Sequence, residues 1–521
     1  MNTFGRQTSA SRRGAEFSTD EDFLKSSVIV SSTANKLNYS GLPLDVCASI
    51  GDSSSENSIA TSKEELHCFI VGDTGCGKTR RLIVPSIRLI GKSKESMVIS
   101  DPKGELYRKT ATALKYHGYD IKVINMRSPG RGQRWNPFSL VEKLYYSANE
   151  EDKDRAMLII EDIVEVMHSG NRGARDPYWD NMAMQYIKGL IFIILEYGKK
   201  GQLSFGSIAD LEKEMTIEMD EHPKNVARFI REQKQGSSIK ENFYGLLGLL
   251  ENDGGRTYGC ITSTAQVILA QYTRQNLIRK LFEASDFDME DIGRKPTALY
   301  LILPDDSDAL YGLATLMVKQ IYSCLINIAD GIGGSLPNKV SFILDEFANF
   351  TRIPSIGSML TASRSRGIRF ILVCQNVGQL EEKYGEYGAE TIRANCRVWV
   401  YMGCRNLEFL KMLQDLSGIH IERYGGNVYP LMDIDMLQRL NPGEVFVWND
   451  RCSPKLCHLP DYSQYDFGVE SSRAGEGDLP PYRKWVEPER FDIDSFFQRK
   501  IKGSGDFYLG TEPPFSEQWE D

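Results

Sequence analysis

The chain has 521 residues and a formal net charge of −9, with 41% hydrophobic and 26% charged residues, the usual balance of a globular protein. This length allows about three domains, and the acidic balance excludes a uniformly basic nucleic-acid coat, although a locally basic channel is compatible with it. Ten cysteines occur without a C-x-x-C pair or histidines at zinc spacing, which favours reduced thiols in an intracellular protein.

No apolar run in the sequence approaches the roughly 18 residues needed to span a bilayer. The longest candidate, Leu190 to Leu195, is short and has Lys188 and Glu196 beside it. The first residues lack the apolar centre of a secretory signal. We therefore expect a cytoplasmic protein with no transmembrane segment of its own; docking at the inner face of the membrane through a partner is the alternative.

Residues 1–64 are interpreted as an N-terminal extension or linker. They are rich in serine, asparagine and threonine, and Val28 to Val30 is the one short stretch typical of a strand. The stretch from Gly51 to Ser62 has the composition of a flexible turn or linker. No function can be assigned to this part from the sequence.

A phosphate-binding loop opens the first part of the nucleotide-binding core, residues 65–138. The pattern G-x-x-x-x-G-K-[ST] is matched without a mismatch, after a predicted strand at Leu66 to Val71 and before a predicted helix at Arg80 to Ile90 that Pro85 disturbs. Glycines in such a loop let backbone N–H groups surround phosphate oxygens at the start of a helix. The predicted nucleotide-binding residues are Gly72, Asp73, Thr74, Gly75, Cys76, Gly77, Lys78 and Thr79.

Two residues of this loop have specific expected roles. Lys78 is expected to contact the β- and γ-phosphates of ATP, and the Thr79 hydroxyl is expected to be a ligand of Mg²⁺. Further along, Met97 to Ser100 and Ile121 to Asn125 read as strands. Asp101 follows the first of these, where it fits either the cap of the next helix or a site residue at the carboxyl end of a strand.

The pattern from 139 to 293 is mostly helical and predicts an inserted all-α domain. Its apolar residues recur at intervals of three and four, as at Ile160, Ile163, Val164 and Met167. Packing of a helical core is the ordinary explanation for these positions.

The second part of the core, residues 294–461, contains a Walker B pattern. An apolar strand from Val340 to Leu344 ends in Asp345 and Glu346. Asp345 is expected to hold Mg²⁺ together with Thr79, and Glu346 to orient or deprotonate the attacking water. The interval between the phosphate loop and this strand is longer than an uninterrupted core needs, which independently favours the inserted domain.

Gln375 ends the next predicted strand, Ile368 to Cys374. It is interpreted as a sensor of the γ-phosphate or of the attacking water, with a polar helix start as the alternative. Upstream, Arg364, Arg366 and Arg369 form a basic cluster. Either they are solvated residues at a helix end, or Arg364, with Arg366 as substitute, is an arginine finger given in trans to a neighbouring subunit.

Residues 462–521 are rich in proline, glycine, acidic and aromatic residues and are interpreted as a C-terminal surface arm. A recruiting peptide is the alternative for this part.

With these motifs in order, the sequence resembles the type IV secretion coupling proteins, the TraG-like ATPases of conjugation systems, over about residues 65 to 450. The segments that carry the resemblance are GDTGCGKT (72–79), VISDPKGELY (98–107), WNPF (135–138), DPYW (176–179), FILDEFANF (342–350), MLTASRSRGIRFILVCQN (359–376) and Gln379-Leu380. The resemblance implies an α/β fold with a RecA-like P-loop core, related to the FtsK/HerA translocases and interrupted by an all-α domain.

The resemblance also implies a function. It predicts a homo-hexameric ring that hydrolyses ATP with Mg²⁺ at its subunit interfaces and moves DNA, or a relaxase-bound strand, into a secretion channel. Matched positions make Glu346, Gln375 and Arg364 the catalytic residues and Thr79 and Asp345 the metal ligands. Many members of that family begin with transmembrane helices that this sequence lacks, so either it is a membrane-free branch of the family or the membrane segment lies on a partner protein.

Two other functions stay open from the sequence. One is a secretion receptor that docks protein cargo on the all-α domain and uses ATP mainly for assembly. The other is a soluble motor of a genome-defence or mobile-element complex.

Overall fold

The computed structural model describes residues 15–46, 57–169, 177–252, 256–304, 308–375, 377–421, 427–468 and 477–502. The predicted motif positions Asp176 and Asn376 lie outside these residues, as does the end of the predicted C-terminal arm. The chain divides into two compact units. The core unit comprises Met1–Gln133 and Asp286–Lys484, and the helical unit comprises Arg134–Ser285 and Trp485–Asp521.

The described residues contain fourteen strands, most of them in the core unit's large sheet. They are β1 (Ser27–Ser31), β2 (Asp45–Val46), β3 (Ser58–Ser62), β4 (Cys68–Val71), β5 (Ser96–Asp101), β6 (Asp120–Asn125), β7 (Thr297–Ile302), β8 (Val340–Leu344), β9 (Ile368–Cys374), β10 (Val398–Tyr401), β11 (Ile419–Ile421), β12 (Val428–Pro430), β13 (Glu444–Asn449) and β14 (Lys455–His458).

The α-helices of the described residues are numbered in chain order. They are α1 (Asp20–Ser26), α2 (Val84–Ser93), α3 (Glu105–Tyr116), α4 (Ser139–Tyr145), α5 (Glu150–Ser169), α6 (Pro177–Tyr197), α7 (Phe205–Glu221), α8 (Pro223–Glu232), α9 (Ser238–Asn252), α10 (Arg256–Thr273), α11 (Asn276–Leu281), α12 (Asp291–Arg294), α13 (Asp308–Gly331), α14 (Ile356–Ser363), α15 (Val377–Asn395), α16 (Leu407–Ser417), α17 (Ile434–Gln438) and α18 (Ile493–Phe496).

The large sheet of the core unit has nine strands in the order β14-β13-β10-β4-β9-β8-β5-β7-β6. The seven strands from β10 to β6 are parallel, whereas β13 and β14 are antiparallel at one edge. Strands β4, β5, β8 and β9 are buried along their whole length, as expected for parallel strands covered on both faces. The predicted α/β class is therefore confirmed.

A second sheet of three strands, in the order β1-β3-β2, lies in the N-terminal part. The strand predicted at Val28 to Val30 is present as β1. Residues 58–62 form β3, where the sequence predicted a flexible turn or linker. Ile59, Ala60 and Thr61 are buried there, and β3 pairs with both β1 and β2. Pairing and burial outweigh the weak strand preference of a serine-rich segment.

The helical unit is built on large buried aromatic side chains. Phe205 and Tyr272 stack with ring centroids 4.6 Å apart, and Tyr186 lies edge-on to Phe243 and Tyr258. Helix α7, Phe205–Glu221, lies within the predicted all-α domain. Ser204 caps it by accepting a hydrogen bond from the N–H of Ser207.

The division into units differs from the predicted domain boundaries of 139–293 and 462–521. Residues 286–296 belong to the core unit, where Gly293 lies against Leu325 of α13. The residues from Trp485 belong to the helical unit, where Phe496 packs against Tyr197 and Phe229. These contacts join positions far apart in the chain, so the local pattern could not reveal them.

One described helix is long and apolar enough to cross a membrane by length and composition. It is Leu310–Gly331 in α13, with a mean hydropathy of 1.3. This helix is not among the apolar runs predicted from the sequence. The helix is 67% buried within the protein, and Tyr322 packs against Phe370 of β9. Burial of this kind is ordinary for a core helix and gives weak support for a membrane span.

Candidate functional site

The phosphate loop follows β4 at the carboxyl edge of the sheet. Gly75 and Gly77 have φ angles of 86° and 94°, which glycine adopts without the steric cost borne by other residues. Gly72 is required for another reason, close packing. A Cβ atom there would lie 2.5 Å from the Cys76 sulfur and 3.1 Å from the Met402 Cβ. The glycines therefore permit both the turn and the tight packing of the loop.

Lys78 points back into the loop that it terminates. Its side chain is buried, and its ammonium group donates to the carbonyls of Gly72 at 2.5 Å and Asp73 at 3.1 Å. The loop therefore holds the lysine charge inside its own curve, where a phosphate group would be surrounded by backbone N–H groups. Thr79, half-buried, begins the following helix next to it.

The helix after the loop begins with a π-helical turn, Lys78–Ile83, and continues as α2. Pro85 lies at the start of α2, directly after this turn, and it cannot donate a backbone hydrogen bond to the preceding turn. The helix irregularity predicted at Pro85 is therefore present as the π-helical turn, which is wider than an α-helical turn and directly follows the phosphate loop. Such π-turns occur often at functional sites.

Residues at the start of the predicted C-terminal arm, and just before it, bind this turn. The Arg80 guanidinium donates two hydrogen bonds to the Asp461 carboxylate, at 2.6 and 2.8 Å, and lies 4.7 Å from the Tyr462 ring centroid. Arg81 donates to the Leu459 carbonyl at 2.8 Å. The segment from Leu459 to Tyr462 is therefore part of the support of the site.

The Walker B strand β8 lies two positions from β4 in the same sheet, with β9 between them. At the usual strand spacing this separates the two strands by about 10 Å. Asp345 and Glu346 follow β8 at the same carboxyl edge that carries the phosphate loop. The two motifs are therefore neighbours despite the long interval between them in the sequence.

Asp345 is only 8% exposed. Burial, reinforced by the charge of Glu346, raises the pKa of its carboxyl group to about 7, while Lys78 acts in the opposite direction. The side chain accepts a hydrogen bond from the N–H of Glu346, and its carbonyl accepts one from the Ser100 hydroxyl. The charge of Lys78 does not offset the burial of this carboxylate. A divalent cation would therefore stabilise its ionised form.

Glu346 has a left-handed backbone conformation, with φ 55° and ψ 42°. For a residue other than glycine this costs on the order of 1–3 kcal/mol, and such strain is concentrated at functional sites. The conformation separates the direction of the Glu346 side chain from that of Asp345.

Gln375 connects the two motifs. Its amide nitrogen donates to the Glu346 carboxylate, and its amide oxygen accepts a hydrogen bond from the Thr74 hydroxyl at 2.8 Å. A continuous chain of side chains thus runs from the phosphate loop to the Walker B glutamate. Gln375 does not serve only as a polar helix start.

Asp101 is not the N-cap of α3, which is Gly104, but it supports the first turn of that helix. Its carboxylate accepts a hydrogen bond from the N–H of Tyr107 in the first turn of α3. Burial raises the pKa of Asp101 to about 6, and its charge also raises the pKa of Asp345. The residue both supports a helix and adds negative potential at the site.

The three arginines of the predicted basic cluster have separate environments. Arg369 is buried and donates to Glu95, to Ser341 and to the Ser40 carbonyl. It is therefore a structural residue, because a buried guanidinium needs such partners, and the prediction of a shared solvated cluster is wrong for it.

Arg366 and Arg364 lie in the short 3₁₀ turn before β9. Arg366 pairs with Asp330 at 3.1 Å and donates to the Ala362 carbonyl. Arg364 is half-exposed, with Glu64 4.0 Å away. This turn precedes β9, whereas Gln375 follows it, and seven residues of strand span about 23 Å. Arg364 therefore lies near the sheet edge opposite its own phosphate loop.

The hydrogen bond between Thr74 and Gln375 is not predictable from the sequence. The signal of Thr74 is weak, because a threonine is common inside a phosphate loop. Only the pairing of β4 with β9 brings Thr74 next to a residue that follows 301 positions later.

Chemically, the site joins one buried cation and two hydroxyl groups at the end of β4 with a pair of carboxylates at the end of β8. The loop and Lys78 fit the phosphates of a nucleotide, and Thr79 with Asp345 fits the hard oxygen ligands that Mg²⁺ prefers. Glu346, held by Gln375, is the group suited to orient water.

Comparisons with known proteins identify the family of this chain. Residues 30–419 match the sequence model of the family described as Type IV secretory system Conjugative DNA transfer. The chain is 25% identical over 366 residues to the conjugal transfer protein TraG of Escherichia coli, which covers 68% of this chain and 55% of that protein. It is 24% identical to the protein VirD4 of Rhizobium radiobacter, covering 66% of this chain and 47% of VirD4. The chain thus spans about half the length of these two relatives.

Among solved structures, the fold is similar to the plasmid coupling protein TrwB. The complex of TrwB with ADP and Mg²⁺ matches with a TM-score of 0.57 and 17% identity, covering 89% of this chain and 97% of that one. The complex with the ATP analogue ADPNP matches with the same TM-score and 16% identity. This likeness confirms the predicted fold, a RecA-like P-loop core with an inserted all-α domain.

Proposed function

This chain belongs to the family of type IV secretory system conjugative DNA transfer proteins, and from that premise we propose that it is an ATP-driven motor that moves DNA. Its role is that of a coupling protein, which recruits DNA or a DNA–protein complex and drives it into a transfer channel. The observation that carries the proposal is the side-chain connection from Thr74 through Gln375 to Glu346, because it links the nucleotide loop to the group that acts on water.

In this proposal the nucleotide is ATP with Mg²⁺. Residues 72 to 79 hold the phosphates, Lys78 neutralises the β- and γ-phosphates, and Thr79 and Asp345 hold the metal. Glu346 orients the attacking water. Gln375 contacts the γ-phosphate and couples its presence to the position of Glu346. The TrwB complexes with ADPNP and with ADP and Mg²⁺ support this choice of ligand for a protein of the same fold.

The proposed assembly is a homo-hexameric ring with hydrolysis at the subunit interfaces. Arg364 supports it, because its position near the opposite sheet edge suits contact with the nucleotide of a neighbouring subunit. An arginine finger in trans is worth a factor of about 10³–10⁵ in hydrolysis rate. A channel or membrane protein is the expected further partner.

The proposal is tested by measuring ATP hydrolysis by the full chain with and without DNA, from low to moderate salt. We expect DNA to raise the rate, and the increase to weaken with salt, because phosphate contacts release counterions. Lys78→Ala is the control and should abolish hydrolysis under both conditions. Absence of any DNA stimulation would contradict a DNA motor.

A further inference from the structure

Beside the nucleotide site, the carboxyl ends of β5, β6 and β7 border a second cleft of about 520 Å³. Lys103, Arg108 and Arg127 line it together with Asn125, Ser128 and Leu479. No acidic residue lines it among the described residues. The cleft therefore concentrates positive charge in an otherwise acidic chain.

The three cations come from different elements. Lys103 lies in the loop after β5, Arg108 lies on α3, and Arg127 follows β6, and all three are exposed. Arg127 also donates to the Pro102 carbonyl at 3.2 Å, which joins the two loops. Glu105, which lies between Lys103 and Arg108 in the sequence, pairs with Lys109.

The floor of the cleft carries a polar group with an unused donor. Asn125 is fully buried, and its Oδ1 atom accepts a hydrogen bond from the N–H of Ser128 at 2.7 Å. Its Nδ2 atom has no hydrogen-bond partner among the described residues. A buried donor without a partner costs about 1–3 kcal/mol, so a ligand that accepts this hydrogen bond would be favoured.

An aromatic side chain adjoins the cleft. Tyr482 hydrogen-bonds with Ser128 and Arg131, and these bonds lower the pKa of its hydroxyl. The Arg131 guanidinium lies 4.6 Å from the centroid of the Tyr482 ring, which is 68% exposed. An exposed aromatic ring beside a basic groove is the arrangement on which bases of a single strand stack.

We propose that this cleft binds the phosphate backbone of a single DNA strand, with a phosphodiester oxygen accepting from Asn125 Nδ2 and the charges of Lys103, Arg108 and Arg127 around it. This rests on the proposed DNA-motor function and adds the place where the strand is held. The contacts are to the backbone and so carry no base specificity.

The test is binding of a fluorescein-labelled single-stranded oligodeoxynucleotide to the full chain, measured by fluorescence anisotropy at several salt concentrations. The variant Lys103→Gln/Arg108→Gln removes two cations. We expect weaker binding and a salt slope lower by about 1 for each residue removed. Lys115→Gln is the matched control, because it removes an exposed cation from the same helix, α3; its binding and slope should match the wild type.

A second variant, Asn125→Asp, probes the buried donor. It retains the oxygen that accepts from Ser128 but replaces the Nδ2 donor by an oxygen, so binding should weaken without loss of the loop. A thermal melting curve checks that each variant is folded. If Asn125→Asp unfolds, the lysine and arginine variant carries the test alone.

The outcomes separate this inference from the function on which it rests. If DNA still stimulates ATP hydrolysis, and binding is unchanged in the double variant, the strand lies elsewhere and only this inference is wrong. If the wild type binds no DNA, both fail. Calorimetric titration with inorganic phosphate distinguishes a small-anion site: phosphate binding that the double variant loses, with DNA affinity intact, would overturn the assignment of a strand.

Discussion

Two adjacent acids of the candidate site, Asp345 and Glu346, have different surroundings. Asp345 is buried, and its raised pKa reflects that burial and the neighbouring charge. Glu346 has a strained backbone and is oriented by Gln375. Two neighbouring carboxylates in the sequence thus have different environments, which suit the metal-ligand role proposed for Asp345 and the water-orienting role proposed for Glu346.

Replacement of Glu346 by glutamine should separate binding from hydrolysis. Glu346→Gln retains shape but cannot accept a proton, so hydrolysis should fall by about 10²–10⁴-fold while a fluorescent ATP analogue still binds. Lys78→Ala should lose binding itself. Single-turnover hydrolysis and analogue titration measure the two effects. Glu382→Gln, an exposed acid on α15, is the control and should change neither. Normal hydrolysis in Glu346→Gln would show that Glu346 does not act on the attacking water.

The raised pKa of Asp345 predicts a pH dependence of Mg²⁺ binding. With a pKa of about 7 in the metal-free protein, the carboxyl group is mostly protonated at pH 6 and mostly ionised at pH 8. A metal ligand must be ionised, so Mg²⁺ affinity should fall about tenfold from pH 8 to pH 6. Mg²⁺ titrations at both pH values test this. Asp345→Asn should bind more weakly at both, without this pH dependence; equal wild-type affinities would contradict it.

The same shift has a consequence for stability. Because burial raises the folded-state pKa of Asp345 above its ordinary value of 3.8, the protonated form is favoured by folding. Its contribution to stability is present below pH 3.8 and is lost as the pH rises through about 7. An ionised carboxylate at this buried position is therefore retained above pH 7 at a cost to stability.

At the scale of elements, the phosphate loop is a packed unit as well as a ligand cradle. The Gly72 Cα faces the Cys76 sulfur and Met402 so closely that a methyl group meets both. Burial raises the pKa of the Cys76 thiol, so this side chain is a neutral packing group. The shape of the loop thus depends on β10, whose end carries Met402, as well as on its own glycines.

A double variant tests this packing. Gly72→Ala should distort the loop, because insertion of a methyl group costs about 1–3 kcal/mol, and affinity for an ATP analogue should fall by about tenfold or more. Adding Cys76→Ala removes the sulfur 2.5 Å from the new methyl group, so affinity should recover in part. Cys76→Ala alone is the control. No recovery in the double variant would show that the contact with Met402, or the backbone, dominates.

At the scale of the whole molecule, the position of Arg364 bears on assembly. It lies before β9, at the end remote from Gln375, and it is half-exposed. The length of β9, about 23 Å, separates a residue at this position from the nucleotide site of its own subunit. If it contributes to hydrolysis, a neighbouring subunit must present the nucleotide.

Mixed assemblies test this requirement. Arg364→Ala should bind an ATP analogue normally and fail to hydrolyse ATP. Mixing it with Glu346→Gln should restore part of the activity, because intact fingers then face intact Walker B sites. Arg366→Ala is the comparison: this residue pairs with Asp330, so its loss should affect thermal stability more than hydrolysis. Absence of recovery in the mixture would exclude Arg364 as a finger in trans.

The sequence by itself determined the phosphate loop, the Walker B acids, the α/β class and the presence of a helical insertion. These features depend on residue spacing and hydrophobic periodicity. Both are local properties, set by residues within a few positions of one another. Most strands of the large sheet were predicted within a residue or two, because buried parallel strands are continuous apolar runs. The resemblance to a known family depended on the same motifs.

Only the tertiary structure decided which distant residues meet. The placement of β9 between β4 and β8 joins Thr74 to Gln375, and the burial of Arg369 removes it from the basic cluster. The same holds for β3, whose serine-rich sequence forms a strand because its neighbours pair with it. Such contacts are long-range and depend on pairing and burial energies, which the local order of residues does not contain.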